Sequence, residues 1–221
     1  ELEKAMSFFF KAPVTVTGAG RTDTGVHARD FFAHFDSGSE LRTEQMANLA
    51  EFLNRNTSPD IAIERIFQVP PDFHARFSAI SRTYQYYITR IKDPFLIKYA
   101  WYLYGKLDVA LMNSGAEILM TYEDFTSFSK LHTQVKTNIC RITEAYWREE
   151  EDKLIFTITA DRFLRGMVRA IVGTLVELGQ GKITLDDLRK IVEQKDRSAA
   201  GFSVPAKGLF LTGIRYPGLG K

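Results

Sequence analysis

The chain has 221 residues, 45% hydrophobic and 25% charged, enough for one large domain or two modest ones with ample core. Its net charge of +2 is too mild to imply a nucleic-acid partner without a local basic patch, and its single cysteine, Cys140, excludes an intrachain disulfide and a multi-cysteine zinc site. No apolar run approaches the roughly 20 residues that span a membrane, and the absence of disulfides suits a reducing cytoplasm.

In chain order, "ELEKAMSFFF" carries Leu2, Ala5, Met6 and Phe9 at helical spacing and reads as the last turns of an amphipathic helix. The chain runs straight into this helix without an initiating methionine, so a preceding segment is expected. Residues 14–18 and 30–36 read as strands flanking a glycine-rich loop. Thr43 is placed to cap a helix running to about Asn54, and residues 60–69 alternate as a strand. Pro70 and Pro71 mark the best boundary, dividing 1–71 from 72–221. Residues 75–91 form a long extended run. Asp108 starts a helix ending near Met120, and residues 138–160 form a hairpin turning in its charged middle. Residues 162–181 read as a strongly amphipathic helix closed by Gly179 or Gly181. Thr184 and Asp187 make a capping box for a helix to about Gln194, and residues 208–216 form a final strand. Strand meanders with helices between them indicate α+β, an antiparallel sheet covered by helices on one face. The halves share a rough strand–helix order without a fixed-period repeat.

The loop "TGAGRTDTGVHA" (17–28) poses the chemical question. Gly18 and Gly20 begin a dinucleotide fingerprint, but Asp23 puts a negative charge where pyrophosphate would sit. Gly20 and Gly25 have phosphate-loop spacing, but Val26 and His27 replace the lysine and hydroxyl. His27, His34, His74 and His132 include no H-x-x-x-H pair, so structural histidines are the simpler reading. "DTG" (23–25) also occurs in aspartic proteases, whose two acids share one proton. Arg21 beside Asp23 favours the fully ionised acid instead, and a second "DTG" is absent, so this reading requires a homodimeric protease. The remaining option is an ionised carboxylate acting at a sugar carbon, approached closely across Gly20 and Gly25.

The extended run places Arg82, Tyr84, Tyr86, Ile88 and Arg90 on one face, cations and aromatics together. A core role is the simpler reading for Tyr86. Arg162, Arg165 and Arg169 stand at i, i+3 and i+7 of the 162–181 helix, hence on one face. Arg169 lies in its apolar body, where an unpaired charge is costly, and a buried carboxylate such as Asp23 resolves that.

"GRTDTGVHA", "FHARFSAISRTYQY", "EDFTSF" and "FLRGMVRAIVG", in that order across nearly the whole chain, resemble the tRNA pseudouridine synthase A family. The resemblance implies two similar ferredoxin-like halves with a cleft between them. It implies Asp23 as the catalytic residue, Tyr84 packing on the target base, Arg169 pairing with the carboxylate, and Leu209 in the pocket. Arg21 is implied in handling RNA and the flipped base, while the cationic faces described above, rather than the resemblance, mark Arg82, Arg162 and Arg165 as RNA-binding residues. It implies isomerisation of uridine to pseudouridine at positions 38–40 of the tRNA anticodon stem-loop, by a cytoplasmic homodimer without metal or cofactor. Departures are the missing opening strand with its "YDG" and "GWQ"-like residues, Phe31 where many members have glutamine, and "NRNTSPDI" for a more apolar form. A non-catalytic RNA-binding module is the rival, with the homodimeric protease behind it.

Overall fold

Backbone hydrogen bonding is organised around one long strand, Ser81–Thr89, in a computed structural model that describes residues 1–130 and 137–219. In chain order the helices are α1 (Leu2–Phe10), α2 (Thr43–Asn56), α3 (Val109–Leu119), α4 (Met167–Gly179) and α5 (Leu185–Gln194). The strands are β1 (Thr17–Gly18), β2 (His27–Ala28), β3 (Ala33–His34), β4 (Ser81–Thr89), β5 (Trp101–Tyr102), β6 (Ile142–Glu150), β7 (Lys153–Ala160) and β8 (Leu209–Arg215). The architecture is α+β. Two compact units are present: Glu1–Arg21 with Phe32–Ser78, and Thr22–Phe31 with Ala79–Lys221. The loop that carries Asp23 therefore belongs with the second unit.

In the first unit, α1 and α2 bury Ala5, Met6, Leu49 and Leu53 against one another, with Phe9 and Phe52 in ring contact at 5.1 Å. Lys11, left-handed at φ 55, ends α1 two residues before Pro13. β1 and β3 pair antiparallel, Thr17 opposite His34, over far shorter stretches than the alternating sequence predicts. Thr43 is the first helical residue of α2 rather than its cap. The cap position is Arg42, whose backbone N–H donates to Gln45 Oε1 at 3.0 Å. Residues 60–69, expected as a strand, pair with no strand among the described residues. The backbone of Ile63 is met instead by a side chain: its N–H donates to Asn54 Oδ1 at 2.7 Å, and Asn54 Nδ2 donates to its carbonyl at 2.8 Å. Ile63 and Ile66 still pack on the α1–α2 core, so the alternation reports burial without a ladder.

In the second unit the sheet order is β2-β8-β4-β7-β6, with β5 beside β4. β4, β6, β7 and β8 pair antiparallel, whereas β2 and β5 join in parallel, so the sheet is mixed. The hairpin is as expected: β6 and β7 turn at Glu151, left-handed at φ 50, with Glu150 opposite Lys153. Period-two alternation sends Tyr86 and Ile88 of β4, and Phe156 and Ile158 of β7, into one core with Ile171, Leu175 and Val176 of α4. Tyr86 is fully buried, and its hydroxyl donates to the Pro205 carbonyl at 2.9 Å, which makes it a core residue. Asp108 caps α3 by accepting from Leu111 N at 2.9 Å. Thr184 and Asp187 form the expected capping box of α5.

The helix expected over 162–181 is shorter. α4 starts at Met167, after Gly166 at φ 75, a left-handed conformation that a helix interior does not admit. The Arg165 carbonyl is also taken, by Lys130 N at 2.9 Å. Arg162 and Arg165 therefore sit on a loop, and only Arg169 is helical. Among the described residues, no helix is long and apolar enough to cross a membrane.

Candidate active site

The Asp23 loop is fixed on both sides. Val26 N–H donates to the Asp23 carbonyl at 3.1 Å, closing a tight turn in which Gly25 takes φ 86. The chain then enters β2, which pairs His27 with Phe210 and Ala28 with Leu211, and Arg29 N–H donates to the Leu211 carbonyl at 2.8 Å. Val26 packs against the core, and the His27 ring stacks on Phe210 at 4.6 Å while its Nε2 lies 3.0 Å from the Lys98 carbonyl. The acid is thus held at the edge of a sheet by backbone pairing, which is more precise than a free loop allows.

Arg169, in the first turn of α4, faces it. Its Nη1 donates to Asp23 Oδ2 at 2.9 Å, and its Nε donates to the Val204 carbonyl at 2.7 Å. The Val204 N–H in turn reaches the Arg169 carbonyl at 3.3 Å. Side-chain exposures of 21% for Arg169 and 26% for Asp23 leave the pair largely shielded from solvent, where opposite charges attract more strongly than at a surface. Arg165 Nε lies 3.7 Å from the other oxygen, Oδ1, with 61% of its side chain exposed. The two arginines thus approach the same carboxylate, one at each oxygen.

Tyr84 completes the group. Its ring meets Phe163 edge-on at 5.1 Å. Burial holds its hydroxyl pKa above the ordinary tyrosine value, the Arg82 charge works against that, and the Asp23 charge adds to it. Leu209 is buried opposite Tyr86 in the β8–β4 ladder, two positions before Leu211, which is opposite Tyr84. Asp23, Arg169, Arg165, Tyr84 and Leu209 thus all belong to the second unit.

The other expected residues are placed differently. Arg82 Nη1 donates to the Asp161 carbonyl at 3.4 Å, and the Arg162 N–H donates to Asp161 Oδ1 at 2.7 Å, so both gather at the start of the loop before α4. Arg21 is exposed and belongs to the first unit. His132 lies outside the described residues. Among the described residues, no three His, Cys, Asp or Glu side chains cluster closely enough to hold a metal ion.

Residues 119–217 match the family described as tRNA pseudouridine synthase. The chain is 53% identical over 219 residues to tRNA pseudouridine synthase A of Bacteroides thetaiotaomicron, an alignment covering 98% of this chain and 80% of that protein. This chain belongs to the tRNA pseudouridine synthase A family. The likeness extends to Porphyromonas gingivalis, at 53% over 218 residues, 98% of this chain and 86% of that protein. It extends also to Bacillus subtilis, at 38% over 220 residues, 98% of this chain and 88% of that protein. The family's reaction is the isomerisation of uridine to pseudouridine in tRNA.

Sequence reasoning missed three members of the group. Val204 acts through its backbone carbonyl, which no side-chain pattern announces. Phe163 reads as helix packing, yet it lies before α4 and against Tyr84. His27, the first residue of β2, was legible only as a non-ligand, not as an anchor stacked on Phe210.

Proposed function

We propose that this chain isomerises uridine at positions 38–40 of the tRNA anticodon stem-loop, with Asp23 as the reacting carboxylate. The observation that carries this reading is the Asp23–Arg169 pair: a carboxylate oriented by a pinned guanidinium and largely shielded from solvent. In this reading the target uridine flips out of its stack and lies on Tyr84. Asp23 then either attacks C1′ of the ribose or removes the C2′ proton to give a glycal. The C1′–N1 bond breaks, the uracil turns while held, and C5 bonds to C1′. The C5 proton leaves last. Because burial keeps the Tyr84 hydroxyl protonated near neutrality, Tyr84 suits a relay that passes this proton on better than a free phenolate base. The net reaction rearranges one nucleoside, consumes no water and transfers no electrons.

In the second unit the order β4-α3-β6-β7-α4-β8, with strands arranged β8-β4-β7-β6, supports a ferredoxin-like half. Work in the cytoplasm, where tRNA is found, and assembly as a homodimer are parts of the same proposal. So are roles for Arg21, Arg82 and Arg162 on the RNA and for Leu209 beneath the base.

The test is chemical mapping of pseudouridine in a tRNA transcript incubated with the protein. Product at 38, 39 or 40 is expected. Product only elsewhere overturns the assignment of position, and no product with any transcript overturns the activity.

A further inference from the structure

Asp23 meets its two arginines unequally. Arg169 is held at both ends of its guanidinium, by the carboxylate and by the Val204 carbonyl. Arg165 has only the long 3.7 Å approach to Oδ1, and among the described residues its guanidinium has no other partner. It is 61% exposed and stands on the loop before α4, ahead of the left-handed Gly166, so no helical backbone fixes where its side chain points. An exposed, long-range ion pair contributes little and is readily exchanged for a better acceptor. A phosphodiester is such an acceptor: a guanidinium binds it through two parallel charge-assisted hydrogen bonds.

We infer that Arg165 is a removable cover for Asp23: in the free protein it occupies the Oδ1 side of the carboxylate, and an RNA phosphate beside the flipped nucleotide draws it away. This rests on the proposed reaction and adds a step to it. Arg169 stays in place and keeps the carboxylate oriented. Arg165 exchanges partners, so Oδ1 is uncovered only when RNA is bound. The exchange transfers no proton and breaks no covalent bond. One cation thereby serves two anions in turn, and the acid spends the free state shielded from stray cations.

The exchange predicts energetic coupling between Asp23 and Arg165 in RNA binding. RNA must break the pair in the wild-type protein. Asp23→Asn releases Arg165 beforehand and also removes repulsion between carboxylate and phosphate, whereas in Arg165→Gln only the repulsion is left to remove. A short anticodon stem-loop RNA, fluorescently labelled and titrated against the wild type, both single variants and the double variant, measures this. The affinity gain from Asp23→Asn is expected to be about two- to fivefold larger with Arg165 intact than in the Arg165→Gln background, the range that an exposed pair supports. Arg165→Gln should also reduce the slope of log affinity against log salt by roughly 0.7–0.9, one phosphate contact, with Arg165→Lys restoring it. Equal gains in both backgrounds, or an unchanged salt slope, overturns the exchange. Pseudouridine formation by the wild type, assayed alongside, separates the failures. Product without coupling removes this inference alone, and no product from wild type removes the reading beneath it.

Discussion

Arg169 bridges a side chain and a backbone that lie far from each other in sequence: Nη1 donates to Asp23 Oδ2 at 2.9 Å while Nε donates to the Val204 carbonyl at 2.7 Å. The carboxylate is thereby tied to α4 and to the segment before β8 at once. Arg169→Ala leaves the carboxylate without its close partner and the Val204 carbonyl without this donor. The expected loss of stability is about 2–3 kcal/mol, below the roughly 3–5 of a fully buried pair because both side chains keep some exposure. Arg169→Lys restores charge but not the fork, so it should recover only part of the loss. Urea unfolding of the three proteins checks this, and a Lys variant as stable as wild type would show that charge alone matters.

Asp23→Asn should fold and bind RNA yet form no product. The amide keeps the shape but can neither attack C1′ nor accept the C2′ proton. Enzymes lower barriers by at least ~8 kcal/mol, so loss of the reacting group leaves turnover below detection. Pseudouridine mapping over long incubations checks this, and retained product would remove Asp23 from the chemistry.

Much of this was legible because the signals were local or carried a clear energetic demand. Thr184 with Asp187, and Asp108 before an apolar run, satisfy orphan helix N–H groups within three residues. The Asp23–Arg169 contact spans 146 positions but was readable, since a cation in an apolar helix needs an anion. Failures came where tertiary partners overrode local pattern. The apolar pattern over residues 60–69 looked like a strand, and at Ile63 the Asn54 side chain took the place of a neighbouring strand. Helical spacing of Arg162, Arg165 and Arg169 suggested one face, but Lys130 claims the Arg165 carbonyl and Gly166 turns left-handed. The Val204 carbonyl could not be read at all, because every residue carries one.

Cys140 predicts the alkaline limit of stability. Burial in the α3–α4 core pushes its thiol from 9.0 up to about 11, with Arg162 opposing. The folded state therefore binds this proton more tightly than the unfolded chain. Its contribution is whole below pH 9 and is lost as pH rises through about 11, in total about 2–3 kcal/mol. Comparing urea midpoints at about pH 8 and about pH 10.5, Cys140→Ala should lose markedly less than wild type. Equal losses would assign the alkaline transition to tyrosines such as Tyr216, whose hydroxyl is raised to about 12 by burial.

Tyr84→Phe separates stacking from proton handling. The ring keeps its edge contact with Phe163, so RNA affinity should stay within about twofold, while turnover falls at least tenfold, about 1.4 kcal/mol of barrier. Single-turnover rates with saturating enzyme check this. A wild-type rate would make Tyr84 a platform only.

Gly173→Ala tests whether the fold sets the site. In an ordinary helix this change stabilises by about 1 kcal/mol, because glycine is the poorer helix former. Here a Cβ on residue 173 would stand 2.0 Å from the Phe202 carbonyl oxygen and 3.1 Å from its carbon. The oxygen is backbone, and its segment is pinned on both sides. Gly201 N–H donates to Thr174 Oγ1 at 2.9 Å, and Val204 N–H reaches the Arg169 carbonyl. The segment must shift, and Val204 shifts with it, pulling its carbonyl from Arg169 Nε. The sign should therefore reverse, to a loss of about 1–3 kcal/mol. Turnover should fall more than RNA affinity, since the damage reaches the orientation of Arg169 and Asp23 rather than the RNA-facing cations. Thermal unfolding and single-turnover kinetics on one preparation check both halves. A stabilised variant would show that the 199–204 segment yields freely, and a destabilised one with normal turnover that Val204 does not orient Arg169.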